Sequence, residues 1–296
     1  MTLLANHLCL PEALRWRWWF LRRYLFLLRT FRNGLGVVRA YRHNEICSRV
    51  VLRDGTCLQH PPGRAGFLQT ILEIWHENSY APEQFYCPAK DDVIIDAGAN
   101  VGLFSIWMAR QAPLCRIVAM EPFAENFDFL RQNLEAAKIH RATAFQIALG
   151  GSSGWGQMVA GGSRSLDHQL VVTGGAKANE RGVPVLTLPD LLDKIGAERI
   201  AFLKVDIEGA EMTVFREIDT STLSRIDNVA IEYHEHLAPG VAKLLVLKLE
   251  PTHSVTLHPE ADGTCGILLG KRRGTPRGGL DGIIPSSCHG KDSMKC

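Results

Sequence analysis

The chain has no apolar run that crosses a bilayer comfortably, because arginines interrupt each candidate stretch. The N-terminal apolar stretch is broken in the same way and lacks a cleavage pattern, so no signal peptide is expected. An excess of one charge sign is also missing. Lys+Arg is 33 and Asp+Glu is 31, a formal net charge of +2. That balance gives no support to a nucleic-acid binder, which usually carries a strong basic bias. Close cysteine pairs are absent: Cys9, Cys47, Cys57, Cys87, Cys115, Cys265, Cys288 and Cys296 are scattered, with none at metal-ligand spacing. A zinc site is therefore not expected, and a chain of 296 residues does not need disulfides to fold. Reduced thiols in a cytoplasmic protein are the expectation. No internal repeat is visible. What remains is ordinary globular composition, 46% hydrophobic and 22% charged, long enough for one large domain with extensions.

Three regions are expected: a helix and cap over 1–90, the main domain over 91–270, and a disordered Gly/Pro/Ser/Lys-rich tail over 271–296. Leu14 to Arg32 is rich in Trp, Phe, Leu and Arg. On a helix, Trp16, Phe20, Tyr24, Leu27 and Phe31 share one face, and Arg15, Arg22 and Arg29 lie near the opposite one. Such a helix lies on an anionic membrane, as a peripheral contact, or packs its aromatic face on the core or on a partner chain; Arg17 intrudes on the apolar side and favours packing. Asn33-Gly34 ends it. Short strands are expected at Val37–Tyr41 and Val50–Leu52, a hairpin at Asp54-Gly55, and a helix at Leu68–Glu77.

From Asp92 onward strands and helices alternate. Strands are expected at Val93–Ile95, Arg116–Met120, Ala142–Leu149, Ile200–Val205 and Val229–Tyr233. Helices are expected at Val101–Gln111, Glu125–Lys138, Leu188–Ile195, Ala210–Ile218 and Val241–Leu249. A final strand pair follows at Val255–Leu257 and Gly266–Leu269. Gly150–Gly182 is Gly/Ser-rich, expected as a hairpin plus a loop. The pattern is an α/β fold, a mostly parallel sheet with helices on both faces.

The first strand leads into Asp96-Ala-Gly-Ala-Asn-Val-Gly102, where an open α/β sheet binds ligands. Gly98 permits a tight turn, and Gly102 a close approach to ligand or neighbour. A dinucleotide loop prefers a second glycine where Asn100 stands. Asp96 is also a poor neighbour for a diphosphate and a good one for an ammonium group. S-adenosylmethionine carries that group and no phosphate. Glu121, at the end of the second strand, is placed to accept from ribose hydroxyls. A glycine turn and an exposed glutamate in a non-nucleotide protein are the bland alternative.

These residues resemble the FkbM family of methyltransferases. The matching pieces are 96–102, Met-Glu-Pro (120–122) with Asn126, Leu130 and Asn133, Ile-Ala-Leu-Gly (147–150), Leu-Thr-Leu-Pro-Asp-Leu-Leu (186–192), and Phe-Leu-Lys-Val-Asp-Ile-Glu-Gly-Ala-Glu (202–211). They span about Asp92 to Leu269. The resemblance implies a Rossmann-like class I methyltransferase fold, S-adenosylmethionine as cofactor, and O-methylation of a hydroxyl on a sugar, glycolipid or natural product. Asp96, Gly98, Asn100, Gly102, Glu121 and Ala148 are the cofactor-binding candidates. Pro189 departs from the family pattern and puts a local helix start in question.

A second cluster, Lys204, Asp206, Glu208 and Glu211, surrounds the fourth strand's end. Charges there are expensive unless paired or used. A lysine–carboxylate network is one reading; Lys204 and Glu211 binding substrate is the other. The fifth strand ends in Glu232-Tyr233-His234-Glu235-His236. His234 titrates nearest neutrality and is a candidate base, with Asp206 beside it and Glu208 in reserve. His236 reads as a solvated loop residue. A divalent metal between Asp206 and this strand end is an alternative, since some O-methyltransferases use one, but a metal-free mechanism is the simpler expectation. An NAD(P)-dependent oxidoreductase and a non-catalytic methyltransferase-like binding protein are the competing readings.

Overall fold

The computed structural model describes residues 12–82, 85–159, 169–172 and 182–274. Helices α1 (Glu12–Thr30) and α2 (Gly34–Arg42) open it, followed by a hairpin of β1 (Arg49–Val51) and β2 (Cys57–Gln59). Helix α3 (Phe67–Ile71) then runs into a π-helical turn at Leu72–His76. The hairpin forms around Asp54-Gly55 as its turn chemistry requires, with Gly55 at φ +92°. Val37–Tyr41, expected as a strand, is instead part of α2. Val37 and Ala40 are its buried face, and a Cβ on Gly34 would sit 2.9 Å from the Leu28 backbone. Close packing of α2 on α1 thus overrides the β-branched propensity of Val37 and Val38.

The main domain is built from β3 (Val93–Ala97), α4 (Leu103–Gln111), β4 (Arg116–Met120), α5 (Ala124–Ala136) and β5 (Ala142–Phe145). Next come β6 (Ala148–Leu149), β7 (Gly154–Val159), β8 (Gln169–Val172), β9 (Gly182–Leu186) and α6 (Leu188–Ile195). It closes with β10 (Phe202–Val205), α7 (Glu211–Glu217), α8 (Thr220–Leu223), β11 (Asn228–His234), α9 (Val241–Leu249), β12 (His253–Pro259) and β13 (Cys265–Arg272). A seven-stranded sheet has the order β12-β13-β11-β10-β3-β4-β5. Its β3, β4, β5, β10 and β11 are parallel, and the final pair β12–β13 is antiparallel. The order reverses between β3 and β10, the switch point at which open α/β sheets bind ligands. This is the class I methyltransferase topology.

The stretch 142–149, expected as one strand, divides. Phe145 ends β5 in the main sheet, and Ala148 starts β6 in a separate sheet of order β6-β9-β7-β8. The expected hairpin in 150–182 is β7–β8; residues 160–168 and 173–181 lie outside the described residues. Of the expected tail, Lys271 and Arg272 belong to β13, while 275–296 lie outside the described residues. Pro189 does no harm: it sits in the first turn of α6, where no intrahelical N–H is needed, and Thr187 caps that helix by accepting from Asp190 N.

The two faces of the sheet bury separate cores. On one face Ile94 and Phe202 pack with α4, α5 and the cap residues Leu27, Phe31, Val50 and Leu72. On the other, Ile95, Leu203 and Val229 pack with α6, α7 and α9. The described part of the cap therefore shares its core with the main domain. Among the described residues Cys47, Cys57, Cys87, Cys115 and Cys265 are free thiols. We expect Leu27→Ala, at a fully buried cap position, to cost about 2–5 kcal/mol in denaturant unfolding.

Candidate active site

Parallel register assembles the charges. Lys204 on β10 pairs with Asp96 on β3, and Val205 with Ile231, so Asp206 and Glu232 come abreast one residue later. Alternation then puts His234 on the same face as Glu232. All of them project on the side of the cap, at the carboxyl edge of the sheet.

The loop after β3 is fixed from behind. Asp96 is fully buried; its Oδ2 accepts from Ser105 Oγ at 2.7 Å, and Lys204 Nζ lies 3.3 Å from Oδ1. Lys204 also donates to Gly98 O at 2.7 Å and lies 3.4 Å from Asp206 Oδ2. Burial works against its charge, but the carboxylates of Asp206 and Asp96 outweigh it and raise the ammonium's pKa. Gly98 has φ +77°, and a Cβ there would meet Asp206 O at 1.6 Å, so the loop folds directly over the end of β10. Gly102, at φ +87°, faces a neighbour: a Cβ would meet Leu130 Cδ1 of α5 at 2.7 Å. Asn100 adopts φ +50°, and its N–H donates to Glu121 Oε2 at 2.8 Å, while Phe123 N donates to Oε1 at 2.9 Å. Burial raises the Glu121 carboxyl to about 7, against the pull of those two hydrogen bonds.

Two buried oxygens of this loop, Asp96 Oδ1 and Asn100 Oδ1, accept no hydrogen bond. Asn100 Oδ1 and the Glu121 carboxylate present acceptors to a ligand, while Asp96 Oδ1 lies 3.3 Å from the Lys204 ammonium. A group rich in donors, such as an amino-acid-bearing nucleoside, fits; a diphosphate, itself only an acceptor, does not. The expected partner of Asp96 needs correction, however. Its carboxylate already has an ammonium, that of Lys204, and none of its surface is exposed. Ala148 turns its methyl group into the small core of Val183 and Val185, so any contact it makes with a ligand is through its backbone.

The second cluster divides by accessibility. Glu211 is fully buried and accepts from Ile207 N at 3.3 Å and Gly209 N at 3.2 Å, and its Oε1 is 3.2 Å from His234 Nδ1. It holds the turn in which Glu208 (φ +52°) and Gly209 (φ +92°) are left-handed. Lys204 and Glu211, candidates for substrate contact, are instead the buried framework of the site. Asp206, Glu208 and Glu232 keep 22%, 22% and 31% of their side chains exposed and form its open wall.

His234 does not match a base of ordinary pKa. Its Nε2 lies 3.4 Å from Glu208 Oε2 and 4.0 Å from Glu232 Oε1. Burial alone would lower its pKa; the Glu211 hydrogen bond and the charges of Asp206, Glu211 and Glu208 push it up to about 10. At neutral pH it is an imidazolium, with no lone pair to offer. Donor atoms of Asp206, Glu232 and His234 lie within 4.8 Å of one another, a set that a divalent cation shares only when the imidazole gives up its proton.

A family model described as the methyltransferase FkbM domain matches residues 96–253, which contain the loop, both charged strand ends and the inserted small sheet. The chain belongs to the FkbM methyltransferase family. It is 31% identical over 178 residues to methyltransferase 1 of Beauveria bassiana, covering 54% of this chain and 70% of that one. It is 26% identical over 223 residues to the 31-O-demethyl-FK506 methyltransferase FkbM of Streptomyces tacrolimicus, covering 65% and 84%. Among solved structures, the methyltransferase domain of METTL16 aligns with a TM-score of 0.42 at 12% identity, covering 73% of this chain and 72% of that one.

Within the FkbM domain, the asparagine of the second matching piece has a structural task. Asn133 Nδ2 donates to Gln59 O and Val101 O, each at 2.8 Å, and Oδ1 accepts from Gln59 N at 2.8 Å. It ties α5 to the cap hairpin and to the Asp96–Gly102 loop. Two site residues escaped the sequence reading. Glu232 was discoverable, since it stands two residues before His234 on one strand face. Tyr80 was not: it lies in irregular chain far from any motif. Its buried hydroxyl donates to Glu232 Oε2 and lies 3.3 Å from Asp206 Oδ2.

Glu121→Ala removes a partner of the Asn100 and Phe123 amides and the carboxylate expected to accept from a ribose hydroxyl. We expect S-adenosylmethionine to bind more weakly by about 1.5–3 kcal/mol in calorimetry. Because the carboxyl of Glu121 titrates near 7, affinity for the cofactor should rise as pH climbs through neutrality. Glu121→Gln should flatten that rise; an unchanged pH profile would show that Glu121 does not face the ribose.

Proposed function

We propose that this chain transfers the methyl group of S-adenosylmethionine to a hydroxyl of a sugar, glycolipid or related natural product. The observation that carries this reading is the placement of an acceptor-lined cofactor loop beside the partly open carboxylate pair Asp206 and Glu232. The O-methyltransferase named among the relatives supports it. A cytoplasmic setting is part of the proposal, since it suits the scattered cysteines.

The sulfonium of the bound cofactor supplies an already activated methyl group. The protein's work is alignment and removal of one proton from the attacking hydroxyl. Asp206 and Glu232 accept that proton. Burial and the nearby charge of Asp206 lift the Glu232 carboxyl to about 8, so its carboxylate, which forms as pH rises above neutrality, is a stronger base than that of an ordinary glutamate. Glu208, pushed up to about 9 chiefly by burial, keeps its own proton at neutral pH and is no acceptor there. His234 remains a cation that holds Glu208 and Glu232 in place. Tyr80 orients the pair from the cap, and Lys204 fixes the loop behind it.

Calorimetry with S-adenosylmethionine and with NAD, followed by a labelled-methyl screen of glycans and small hydroxylated compounds, tests the proposal. Binding of NAD with no affinity for S-adenosylmethionine would overturn it, as would methyl transfer confined to nitrogen acceptors.

A further inference from the structure

The structure assigns the outer face of α1 to the surface of an anionic lipid bilayer. Only one part of this helix is used by the fold. Arg23 and Leu27 are buried, and Arg23 is fastened to Glu77 and to the Tyr41 hydroxyl. At 100° per residue, Trp16, Phe20 and Tyr24 lie on that same inward side, as the sequence pattern expects.

A second apolar stripe faces away from the protein. Leu14, Trp18, Leu21 and Leu25 are spaced by four, three and four residues, so they fall within one narrow arc; they are 44%, 56%, 43% and 37% exposed. Six of the twelve large apolar side chains exposed among the described residues belong to α1, the four of this stripe and, at the outer end of the inward side, Trp16 and Phe20. Scattered exposed leucines need no explanation, but such a concentration marks an interaction surface.

Charge decides the occupant. The helix carries five arginines and one acid, Glu12. Arg15, Arg22 and Arg29 run along one side of the stripe and Arg17 along the other, all exposed. The position of Arg17, which argues against a single apolar face, becomes a flank once the stripe is recognised. Leucine and tryptophan enter the headgroup boundary while flanking guanidinium groups reach outward to lipid phosphates. The same spacing would suit a coiled coil with a second copy. There the positions flanking the seam would set arginine against arginine with no acid between them, which disfavours self-pairing. No helix among the described residues is long and apolar enough to cross a membrane, so the association is a surface one.

Flotation of the full chain with phosphatidylglycerol-containing vesicles, and with pure phosphatidylcholine vesicles, tests this. Binding should require the anionic lipid and weaken at least about tenfold when salt shortens the Debye length to a few ångströms. The variant L14Q/W18Q/L21Q/L25Q changes only exposed side chains. It should keep its helical signal and cofactor affinity and lose vesicle binding by at least about a hundredfold. Arg15→Gln with Arg22→Gln should reduce the salt dependence. The assignment is overturned if the wild type ignores vesicles, if it binds neutral and anionic lipid alike, or if the stripe variant binds undiminished. It is also overturned if that variant instead dissolves an oligomer, which would make the stripe a protein seam.

Discussion

Lys204→Met is expected to destabilise the protein by about 3–5 kcal/mol, the range for removing one partner of a buried ion pair. The variant leaves Asp96 with no cation and no exposed surface, and it removes the donor that holds Gly98 O. The sign with pH follows. A buried carboxylate that has lost its cation has a raised pKa in the folded state, so folding is penalised where it must be ionised. The stability gap between wild type and variant should therefore be widest at neutral pH and narrow as pH falls towards 5 and the carboxyls take up protons. Asp96→Asn placed on top of Lys204→Met should recover part of the loss at neutral pH, because the amide is neutral. Urea unfolding of the three proteins across pH reads all of this. A Lys204→Met variant as stable as wild type would show that Asp96 and Lys204 do not depend on each other. The same network bears on Asp96→Ala. That change takes one of two carboxylates from the buried Lys204 ammonium, which keeps Asp206 and Gly98 O, so it should cost less stability than Lys204→Met.

Asp206→Asn is expected to lower kcat by about 10²–10⁴-fold, the contribution of positioned proton transfer, while leaving cofactor affinity nearly intact. The asparagine keeps the backbone oxygen that Gly98 approaches and the side-chain volume, but it accepts no proton. Glu232→Gln should lose rate in the same way, with a second signature. In the wild type, kcat should increase as pH rises through about 8 and the Glu232 carboxylate forms; the glutamine variant should lack that limb. His234 should contribute no rising limb near pH 6.5, since its cation persists to about 10. A wild-type profile that rises near 6.5 and is abolished by His234→Asn would restore His234 as the base. An Asp206→Asn defect seen only as weaker cofactor binding would move Asp206 into the cofactor shell.

Much of the main domain was legible because its signals are local. Apolar runs bounded by glycine and charge located the strands, and 3.6-residue periodicity located the helices; α9 at Val241–Leu249 coincides with its expected range. The Asp96–Gly102 loop could be read because its turn needs glycine at 98 whatever surrounds it. Where a residue's state depends on packing partners remote in sequence, the reading failed. Val37–Tyr41 has strand propensity, yet α1 gives it a helical berth. The run 142–149 has strand propensity throughout, but nothing local says that its two ends join different sheets.

By itself the sequence determined the fold class, the position of the Asp96–Gly102 loop and the identities of the charged residues at the strand ends, because chain order and element type fix which edge a strand reaches. Tertiary structure alone decided what each charge does. Register set Lys204 against Asp96 and made it framework. The turn at Glu208–Gly209 brought Glu211 under His234 and raised the pKa of a candidate base. Tyr80 reached Asp206 and Glu232 across well over a hundred residues of chain. Protonation state and accessibility are properties of neighbours in space, and one-dimensional spacing does not contain them.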